Sequence, residues 1–363
     1  MKILQIVTQM EAAGAQRVAY LLSRQLADRG HHSELLFLYV KRPAYAQTNG
    51  VSALLDRNPS LIDCFRIAVL LAIRLCTNRP DVIITHTHYS NILGQTIACL
   101  CGVRCRIAVN HSLDTLYSPV ARFFDRMLGT LGLYSKVVAV SSPVAESLQN
   151  YPTVYRSRLC VIPNGVEVTH PTLSVPAARK LWSLPTDAPL LGTVGRLSKT
   201  KNHAFLIDIL DLVPLAHLVI LGDGEERQAL ESLITRRGLQ ERVHLLGEQP
   251  SDVTNGIVAS CDVFLFPSLL EAMPMALIEA MLLASPIIAS DIDACADVLG
   301  SSGLCLRVSD GGQWAAAIKR LLESPQSGIE LGRSAKSKAN EFTPSRMADA
   351  YLKVIDNLQK ARV

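Results

Sequence analysis

Hydrophobic positions along the chain alternate between two spacings. Short apolar runs, such as residues 2–8 and 32–40, have the composition of buried β-strands, whereas residues 15–29 place apolar side chains at helical spacing. The same criteria predict strands at 81–85, 106–110, 137–140, 159–162, 190–194, 217–222, 243–246, 262–266 and 286–290, and helices at 61–76 and 344–360. Regular alternation of strand and helix predicts an α/β protein with parallel sheets covered by helices on both faces.

The alternation is interrupted once, which predicts two Rossmann-like domains. Pro163-Asn164-Gly165 ends one strand, a linker follows over residues 170–176, and the pattern restarts at residue 190. A length of 363 residues suits two domains of ordinary size. We therefore expect domains at 1–167 and 168–343, followed by a last helical segment at 344–363.

The segment 266–290 places two acids among small apolar residues. Pro274 suits the first position of a helix, which would leave Glu271 in the preceding loop and put Glu279 in the second turn. Backbone N–H groups around Ala272, Met273 and Met275 would then face outward at the helix start, where anions bind. The phosphates of a ligand could bind these amides, and its hydroxyl groups could bind the two carboxylates. The alternative is two surface glutamates beside a buried helix.

The segment 191–210 has the pattern of a strand, a basic loop and a helix. The loop contains Arg196, Lys199 and Lys201, and Asn202 is a candidate N-cap for the helix. The planar donor fork of arginine and the point charge of lysine together suit a diphosphate. An ordinary solvated basic loop is the alternative.

These two segments resemble a known family. G-R-L-x-x-x-K-N at 195–202 followed by E-x7-E at 271–279 is similar to the retaining glycosyltransferases of family four, which have the GT-B fold. The resemblance extends over nearly the whole chain through DVIITHTH at 81–88, VVAVSSPV at 137–144, VIPNGV at 161–166 and VILGDGEER at 219–227. It implies two sheets that face each other across a cleft, with a final helix that crosses back to the N-terminal domain.

The resemblance also implies roles for individual residues. Arg196 and Lys201 would neutralise the leaving diphosphate, Glu279 would bind the ribose hydroxyls, and Glu271 would hold the hydroxyls of the donor sugar. His111, directly after a predicted strand, would contact the donor sugar or the reacting centre. Two further histidines, at 86 and 88, precede it, and for them a structural role is equally open.

Two segments depart from the family pattern. The loop that ends at Gly14 would approach a phosphate or sugar, but Ala13 stands where the family usually has the first of two glycines. Alanine there is a mild departure at negative φ and a strained one at positive φ. Near residues 293–297, where relatives often have a glycine pair and a glutamate, this chain has Asp293, Ala294 and Asp297.

The implied activity is retaining transfer of a sugar from a UDP- or GDP-sugar to a glycan or lipid-linked acceptor in bacterial surface polysaccharide or glycolipid synthesis. The N-terminal domain would bind the acceptor and the C-terminal domain the nucleotide sugar. Fixed cations can replace a metal ion, so we expect neither a metal nor a cofactor. The alternatives are a nucleotide-sugar 2-epimerase and an inactive glycosyltransferase that serves as a scaffold.

Charge adds information about partners. Residues 1–167 contain 17 Lys and Arg against 10 Asp and Glu, a net charge of +7, whereas residues 168–363 have 19 against 22, a net charge of −3. The basic half suggests an anionic acceptor or the inner face of a membrane; ordinary arginine usage is the alternative, and nothing suggests nucleic acid.

The remaining composition bounds the class of protein. With 49% hydrophobic and 19% charged residues, the chain is typical of a globular protein. The first residues are predicted as a strand and no long uncharged apolar window occurs, so we expect a cytoplasmic protein, soluble or peripheral at the membrane. Nine cysteines, an odd number without a zinc-site spacing, are expected as mostly buried thiols.

Overall fold

The computed structural model describes residues 1–45, 48–169 and 174–360. Part of the predicted linker, residues 170–173, and the end of the last predicted helical segment, residues 361–363, lie outside the described residues. The chain forms two compact units, Met1–Gly165 with Phe342–Val363, and Val166–Glu341. Each unit has its own parallel sheet.

The N-terminal unit is built on seven strands in the order β3-β2-β1-β4-β5-β6-β7, with every neighbouring pair parallel. The strands are β1 Lys2–Met10, β2 His32–Val40, β3 Val51–Leu55, β4 Val82–Thr85, β5 Cys105–Asn110, β6 Lys136–Ala139 and β7 Leu159–Val161. The helices are α1 Gly14–Asp28, α2 Leu61–Asn78, α3 His88–Leu100, α4 Pro119–Thr130, α5 Ser142–Ser147 and α6 Thr153–Arg156.

The C-terminal unit repeats this plan with six strands in the order β10-β9-β8-β11-β12-β13, again all parallel. The strands are β8 Leu190–Val194, β9 His217–Leu221, β10 Val243–Gly247, β11 Val263–Phe266, β12 Ile287–Ser290 and β13 Leu304–Leu306. The helices are α7 Val175–Leu181, α8 His203–Ile209, α9 Arg227–Arg237, α10 Ser251–Ser260, α11 Met275–Leu282, α12 Asp293–Leu299, α13 Gly311–Glu323 and α14 Pro325–Ala339.

The central strands are largely apolar and buried because helices cover both faces of each sheet. All residues of β4, β11 and β12 are buried, and Ile3, Ile6 and Val7 of β1 are at most 2% exposed. A strand buried on both sides has a continuous apolar run rather than an alternating one. The predicted strands of both sheets centre on these runs.

Two strands were not predicted, Val51–Leu55 and Leu304–Leu306. Both lie at the edge of a sheet and are mostly only partly buried. An edge strand pairs on one side only, so its short sequence has neither a long apolar run nor a clear alternation. The strand prediction was therefore incomplete at one edge of each sheet.

The last helix, α15 Pro344–Lys360, packs against α1 in the N-terminal unit. Its apolar side buries Met347, Tyr351 and Ile355. Arg29 adds an ion pair to Asp349 at 2.9 Å. Thus a segment that follows the second sheet in the chain completes the core of the first unit.

Two expectations from composition can be compared with the structure. Among the described helices, none is both long enough and apolar enough to cross a membrane. Of the nine cysteines, Cys105, Cys261 and Cys295 are buried, four are partly buried, and Cys64 and Cys76 are exposed. The expectation of mostly buried thiols was therefore wrong, because α2 turns an apolar face that contains Cys64 toward solvent.

Candidate functional site

The order of strands locates a candidate site in the C-terminal unit. The chain leaves β8 toward β9 on one side and later returns to β11 on the other, so the direction of winding reverses between β8 and β11. In open α/β sheets, ligands bind beyond the carboxyl ends of the strands at such a reversal. Gly195 and Arg196 follow β8, and the loop with Glu271 follows β11.

Direct contacts join the two motif segments at this point. The backbone N–H of Leu269 donates to the carbonyl of Thr200 at 2.7 Å. Lys201 Nζ lies 2.5 Å from Glu271 Oε1, and these side chains are 23% and 10% exposed. The same ammonium lies 5.2 Å from the ring centre of Phe266, within the range of a cation–π contact. A half-buried cation and carboxylate therefore face each other at the switch point.

Glycines make this arrangement possible. A Cβ atom on Gly195 would touch the Lys201 side chain at 3.4 Å, so the lysine stem packs directly on that backbone. Gly222, at the end of β9, has φ +130°, and a Cβ there would lie 2.0 Å from the Gly195 carbonyl oxygen. Only glycine satisfies both the backbone conformation and the close approach at residue 222.

Small polar residues hold the loop before Glu271 in place. Ser290 Oγ donates to the Ser268 carbonyl at 2.5 Å, which ties the end of β12 to this loop. Within the described part of the chain, Ser268 Oγ is buried without a hydrogen-bond partner. Burial raises the pKa of the neighbouring Cys295 thiol to about 12, and the charge of Glu271 contributes. Because the Cys295 thiol is neutral, the charged partner of the Glu271 carboxylate is Lys201.

Arg196 is placed differently from Lys201. Its side chain is 73% exposed and its Nε lies 3.0 Å from Glu225 Oε2. A hydrogen bond from its own backbone N–H, and then the bond from Arg196, lower the pKa of Glu225. Exposed ion pairs contribute little to stability, so the guanidinium can exchange this partner for a phosphate.

The helix after Glu271 begins one residue later than predicted. Pro274 has φ −81° and ψ 77° and is the N-cap, and Met275 is the first residue of α11. The Met275 N–H donates to the Met273 carbonyl at 3.0 Å, so this amide already has a partner inside the turn. Pro274 has no N–H, and Met273 is 8% exposed. This corrects the expectation that the Met275 amide points outward.

Glu279 lies in the second turn of α11, as predicted, and is half-buried. Ala272, also half-buried, lies with Met273 in the loop between Glu271 and the helix. Asp293 and Asp297 are exposed on α12.

Asn202 is the N-cap of α8, but its side chain makes no cap hydrogen bond. It has φ 55° and ψ 39°, in the left-handed region, because the 3₁₀ turn Lys199–Lys201 enters the helix sharply. An N-cap side chain reaches the helix amides from an extended backbone, which Asn202 does not have. Burial lowers the pKa of the next residue, His203, to about 4, and the charge of Lys201 contributes.

The N-terminal unit has its own switch point between β1 and β4. Thr8 Oγ1 and Thr87 Oγ1 meet there at 2.5 Å. Gly14 is the exposed first residue of α1, and the N-cap Ala13 has φ −139°. This extended backbone is open to any residue, so alanine in place of glycine is a mild departure without strain.

His111 follows β5 and is half-buried at the same edge of the first sheet. Its Nε2 lies 3.2 Å from Nδ1 of the fully buried His86. Burial lowers the pKa of His111 to about 4 and that of His86 well below its usual range, so both rings are neutral at pH 7. His88 instead stacks on Tyr117 at 4.1 Å between ring centres.

The contacts show which site residues reasoning from sequence missed. Thr200 and Ser290 hold the loops through a main-chain carbonyl and a side-chain hydroxyl, respectively. Gly222 ends the predicted strand 217–222, and a glycine at the end of a strand is a signal that could have found it. A groove lined by Lys2, Glu34 and Asn78 lies at the amino edge of the first sheet, opposite the edge where such folds bind ligands.

Among the described residues, no group of three or more His, Cys, Asp or Glu side chains could hold a metal ion. The charged groups at the candidate site include the ion pairs Arg196–Glu225 and Lys201–Glu271, and Glu279 lies nearby in the sequence on α11.

Comparison with known proteins identifies the family. The model described as "Glycosyltransferase Family 4" matches residues 12–170, and that described as "Glycosyl transferases group 1" matches residues 175–340. Together they span most of the chain. The chain belongs to the family-four glycosyltransferases. It is an enzyme of the transferase class, and these matches favour neither an epimerase nor an inactive scaffold.

Relatives have low sequence identity to this chain, but the matches cover most of both sequences. The chain is 25% identical over 341 residues to the 2-deoxystreptamine N-acetyl-D-glucosaminyltransferase of Streptomyces fradiae, covering 84% of this chain and 80% of that protein. It is 26% identical over 325 residues to the UDP-Gal:alpha-D-GlcNAc-diphosphoundecaprenol alpha-1,3-galactosyltransferase of Escherichia coli, covering 84% and 83%.

Solved structures show the same fold. The Anabaena protein HepE in complex with UDP superposes with a TM-score of 0.84 at 19% identity, covering 98% of this chain and 100% of that one. WaaG, a glycosyltransferase involved in lipopolysaccharide biosynthesis, gives a TM-score of 0.71 at 15% identity over 96% and 99%. The two parallel sheets and these superpositions establish the GT-B fold.

Proposed function

We propose that this glycosyltransferase moves a sugar from a nucleotide diphosphate sugar to a glycan or lipid-linked acceptor, with retention of anomeric configuration. The observation that supports the donor site is the contact of Lys201 with Glu271 at the switch point of the second sheet. A cation beside a carboxylate suits a ligand with a phosphate next to sugar hydroxyls. Relatives named for UDP-galactose or solved with UDP favour uridine as the base.

The C-terminal unit would bind the donor. Lys201 and Arg196 would bind the diphosphate and stabilise its charge as the bond to the sugar breaks, an electrostatic term that is often the largest in catalysis. Glu271 would accept hydrogen bonds from the sugar hydroxyls, and Glu279 from the ribose. The turn at residues 272–273, between Glu271 and the start of α11, would line the phosphate site.

The reaction would proceed without a resident metal, since Arg196 and Lys201 supply the positive charge. The bond from the anomeric carbon to the diphosphate breaks, and the acceptor oxygen bonds to that carbon from the same face. The acceptor proton passes to an oxygen of the leaving phosphate. Gly14 and His111 of the N-terminal unit would contact substrate, and this unit would bind the acceptor.

Nucleotide titration tests the donor site. We expect UDP to bind the wild-type chain without metal, and Arg196→Gln, Lys201→Met and Glu279→Gln each to weaken binding about tenfold or more, since each removes a charged contact. Arg236→Gln, an exposed arginine on α9, is the matched control. Isothermal titration with UDP and GDP, and release of UDP from UDP-glucose and UDP-galactose, provide the readouts. Folded variants that all bind UDP as the control does would refute these roles.

The acceptor side of the proposal includes an anionic membrane surface. Five large apolar side chains are 61–84% exposed at the N-terminal ends of three helices: Ile62 and Phe65 of α2, Tyr89 of α3, and Val120 and Phe123 of α4. Each of these helices connects two parallel strands of the same sheet, so their N-terminal ends lie at its carboxyl edge, and α3 packs against both α2 and α4.

The charges around this apolar edge complement an anionic bilayer. Arg66 and Arg126 are exposed there, whereas the carboxylates of Asp63 and Asp125 are buried. Aromatic and aliphatic side chains beside arginines are typical of surfaces that lie at a lipid interface. A lipid-linked acceptor would be met at such a surface, and the enzyme would act at the cytoplasmic face of the membrane.

Vesicle sedimentation tests this surface. We expect binding to vesicles that contain phosphatidylglycerol, weaker binding to phosphatidylcholine alone, and loss of binding in Phe65→Ser/Phe123→Ser. The control is Leu100→Ser, which removes an 82% exposed side chain at the opposite end of α3. Unchanged vesicle binding in the double variant would overturn the assignment. A wild-type dimer that dissociates in the double variant would also overturn it, because the apolar edge would then be a protein interface. Nucleotide titration without vesicles tests the donor site separately.

A further inference from the structure

His111 is the end of a chain of hydrogen-bonded side chains inside the N-terminal unit. The ring of His86 joins His111 at 3.2 Å through Nδ1 and the side-chain amide of Gln5 at 2.7 Å through Nε2. Gln5 and His86 are both 0% exposed, so water does not compete for these contacts. A neutral imidazole donates from one nitrogen and accepts at the other. The pair of rings alone leaves the direction of donation open.

Helix α1 decides the direction, because two of its main-chain groups flank the Gln5 amide. The amide oxygen of Gln5 accepts from the Ser23 N–H at 2.9 Å, and its nitrogen donates to the Ala19 carbonyl at 3.2 Å. The opposite orientation would place oxygen against oxygen and N–H against N–H. The amide nitrogen therefore also faces His86, and its second N–H donates to His86 Nε2.

This orientation fixes both rings in turn. With Nε2 of His86 as acceptor, the ring proton of neutral His86 is on Nδ1, which donates to Nε2 of His111. With its Nε2 as acceptor, neutral His111 has its own proton on Nδ1. Both rings stay neutral at pH 7 because burial lowers their pKa values, that of His111 to about 4.

We propose that Gln5 and His86 are positioning residues that hold His111 in the Nδ1–H tautomer. His111 then offers a hydrogen-bond donor at Nδ1, while its Nε2 lone pair is engaged by His86. Resting on the proposed function, the donor would bind an oxygen of the sugar substrate, and His111 would not be the base that deprotonates the acceptor. This agrees with transfer of that proton to the leaving phosphate.

Nitrogen NMR of the full-length protein with ¹⁵N-labelled histidine tests the proposal, since two-bond proton–nitrogen couplings identify the protonated ring nitrogen. We expect His86 and His111 as neutral Nδ1–H tautomers at pH 7. An Nε2–H tautomer, an exchanging mixture or an imidazolium at His111 would overturn the proposal.

A variant tests the role of Gln5. In Gln5→Leu, which removes the amide donor, we expect His86 to gain an Nε2–H population and His111 to lose its single tautomer. The His217–His244 pair, with the same Nδ1 to Nε2 distance of 3.2 Å in the other unit, is the internal reference and should not change.

A folded Gln5→Leu protein in which His111 keeps the wild-type tautomer would show that Gln5 does not set it. Should this variant fail to fold, His86→Phe tests the next link, and the wild-type spectrum stands without either variant. Failure of UDP to bind would refute the proposed function and leave the tautomer result intact.

Discussion

At the scale of single residues, Lys201 and Glu271 form the contact on which the proposed donor site depends. They lie 70 positions apart and meet at 2.5 Å. Each belongs to a motif that, taken alone, has an ordinary structural explanation. Their approach at the end of a parallel sheet removes much of that ambiguity, because a largely buried charge requires a partner.

A double-mutant cycle measures this contact. For Lys201→Met, Glu271→Gln and the double variant, we expect a coupling energy of about 1–2 kcal/mol in urea unfolding, since each single change leaves a part-buried charge unpaired.

The control cycle uses Arg237→Met and Asp208→Asn, a pair at 2.7 Å whose side chains are 45% and 48% exposed. There the coupling should stay below about 0.5 kcal/mol because solvent screens the charges. Equal coupling in the two cycles would argue against a special environment at Lys201.

At the scale of elements, the geometry of the site depends on where two strands end. Gly195 and Gly222 follow neighbouring strands, and their backbones approach so closely that no side chain fits at residue 222. The lysine stem then packs on Gly195. The element boundary, rather than a side chain, therefore sets the position of the cation.

Substitution of Gly222 by alanine tests this boundary. With φ +130° and a Cβ placed 2.0 Å from the Gly195 oxygen, we expect Gly222→Ala to destabilise the C-terminal unit by about 3 kcal/mol or more. Gly256→Ala in α10, where a Cβ meets nothing within 4 Å, should stabilise by up to about 1 kcal/mol. Urea unfolding of both variants decides, and a mild effect at Gly222 would contradict the close approach.

At the scale of the whole molecule, the chain is divided into units that do not follow its linear order. Phe342–Val363 follows the second sheet in sequence but belongs to the unit of the first. Met347 lies so close to Gly165 that a Cβ on the glycine would meet its methyl group at 3.1 Å. The N-terminal unit is thus complete only with α15, which follows the second sheet in sequence.

Loss of one buried side chain in the last helix tests that division. Ile355→Ala should destabilise the N-terminal unit by about 2–5 kcal/mol, since Ile355 is 0% exposed. Hydrogen exchange should increase in α1 and β1 and stay unchanged in β8 and β11. Lys353→Ala, at an exposed position of the same helix, is the control. Increased exchange confined to the C-terminal unit would be the opposite result.

The sequence alone determined the fold class, eleven of the strands and the residues of the two motifs, because apolar periodicity and charged side chains in apolar segments are local properties. The start of α11 differed by one residue, since a proline suits both the N-cap and the first turn. The left-handed backbone of Asn202 could not be predicted from a residue type that is also a common N-cap.

The tertiary structure alone decided which groups meet. The edge strands Val51–Leu55 and Leu304–Leu306 form by pairing with a neighbour, which their own sequences do not encode. The pairing of Lys201 with Glu271 requires the reversed winding of a sheet. The direction of the hydrogen bonds from Gln5 to His111 depends on one main-chain carbonyl and one main-chain N–H of α1, those of Ala19 and Ser23. Sequence determines which groups are available, whereas their distances and orientations arise only when distant segments pack together.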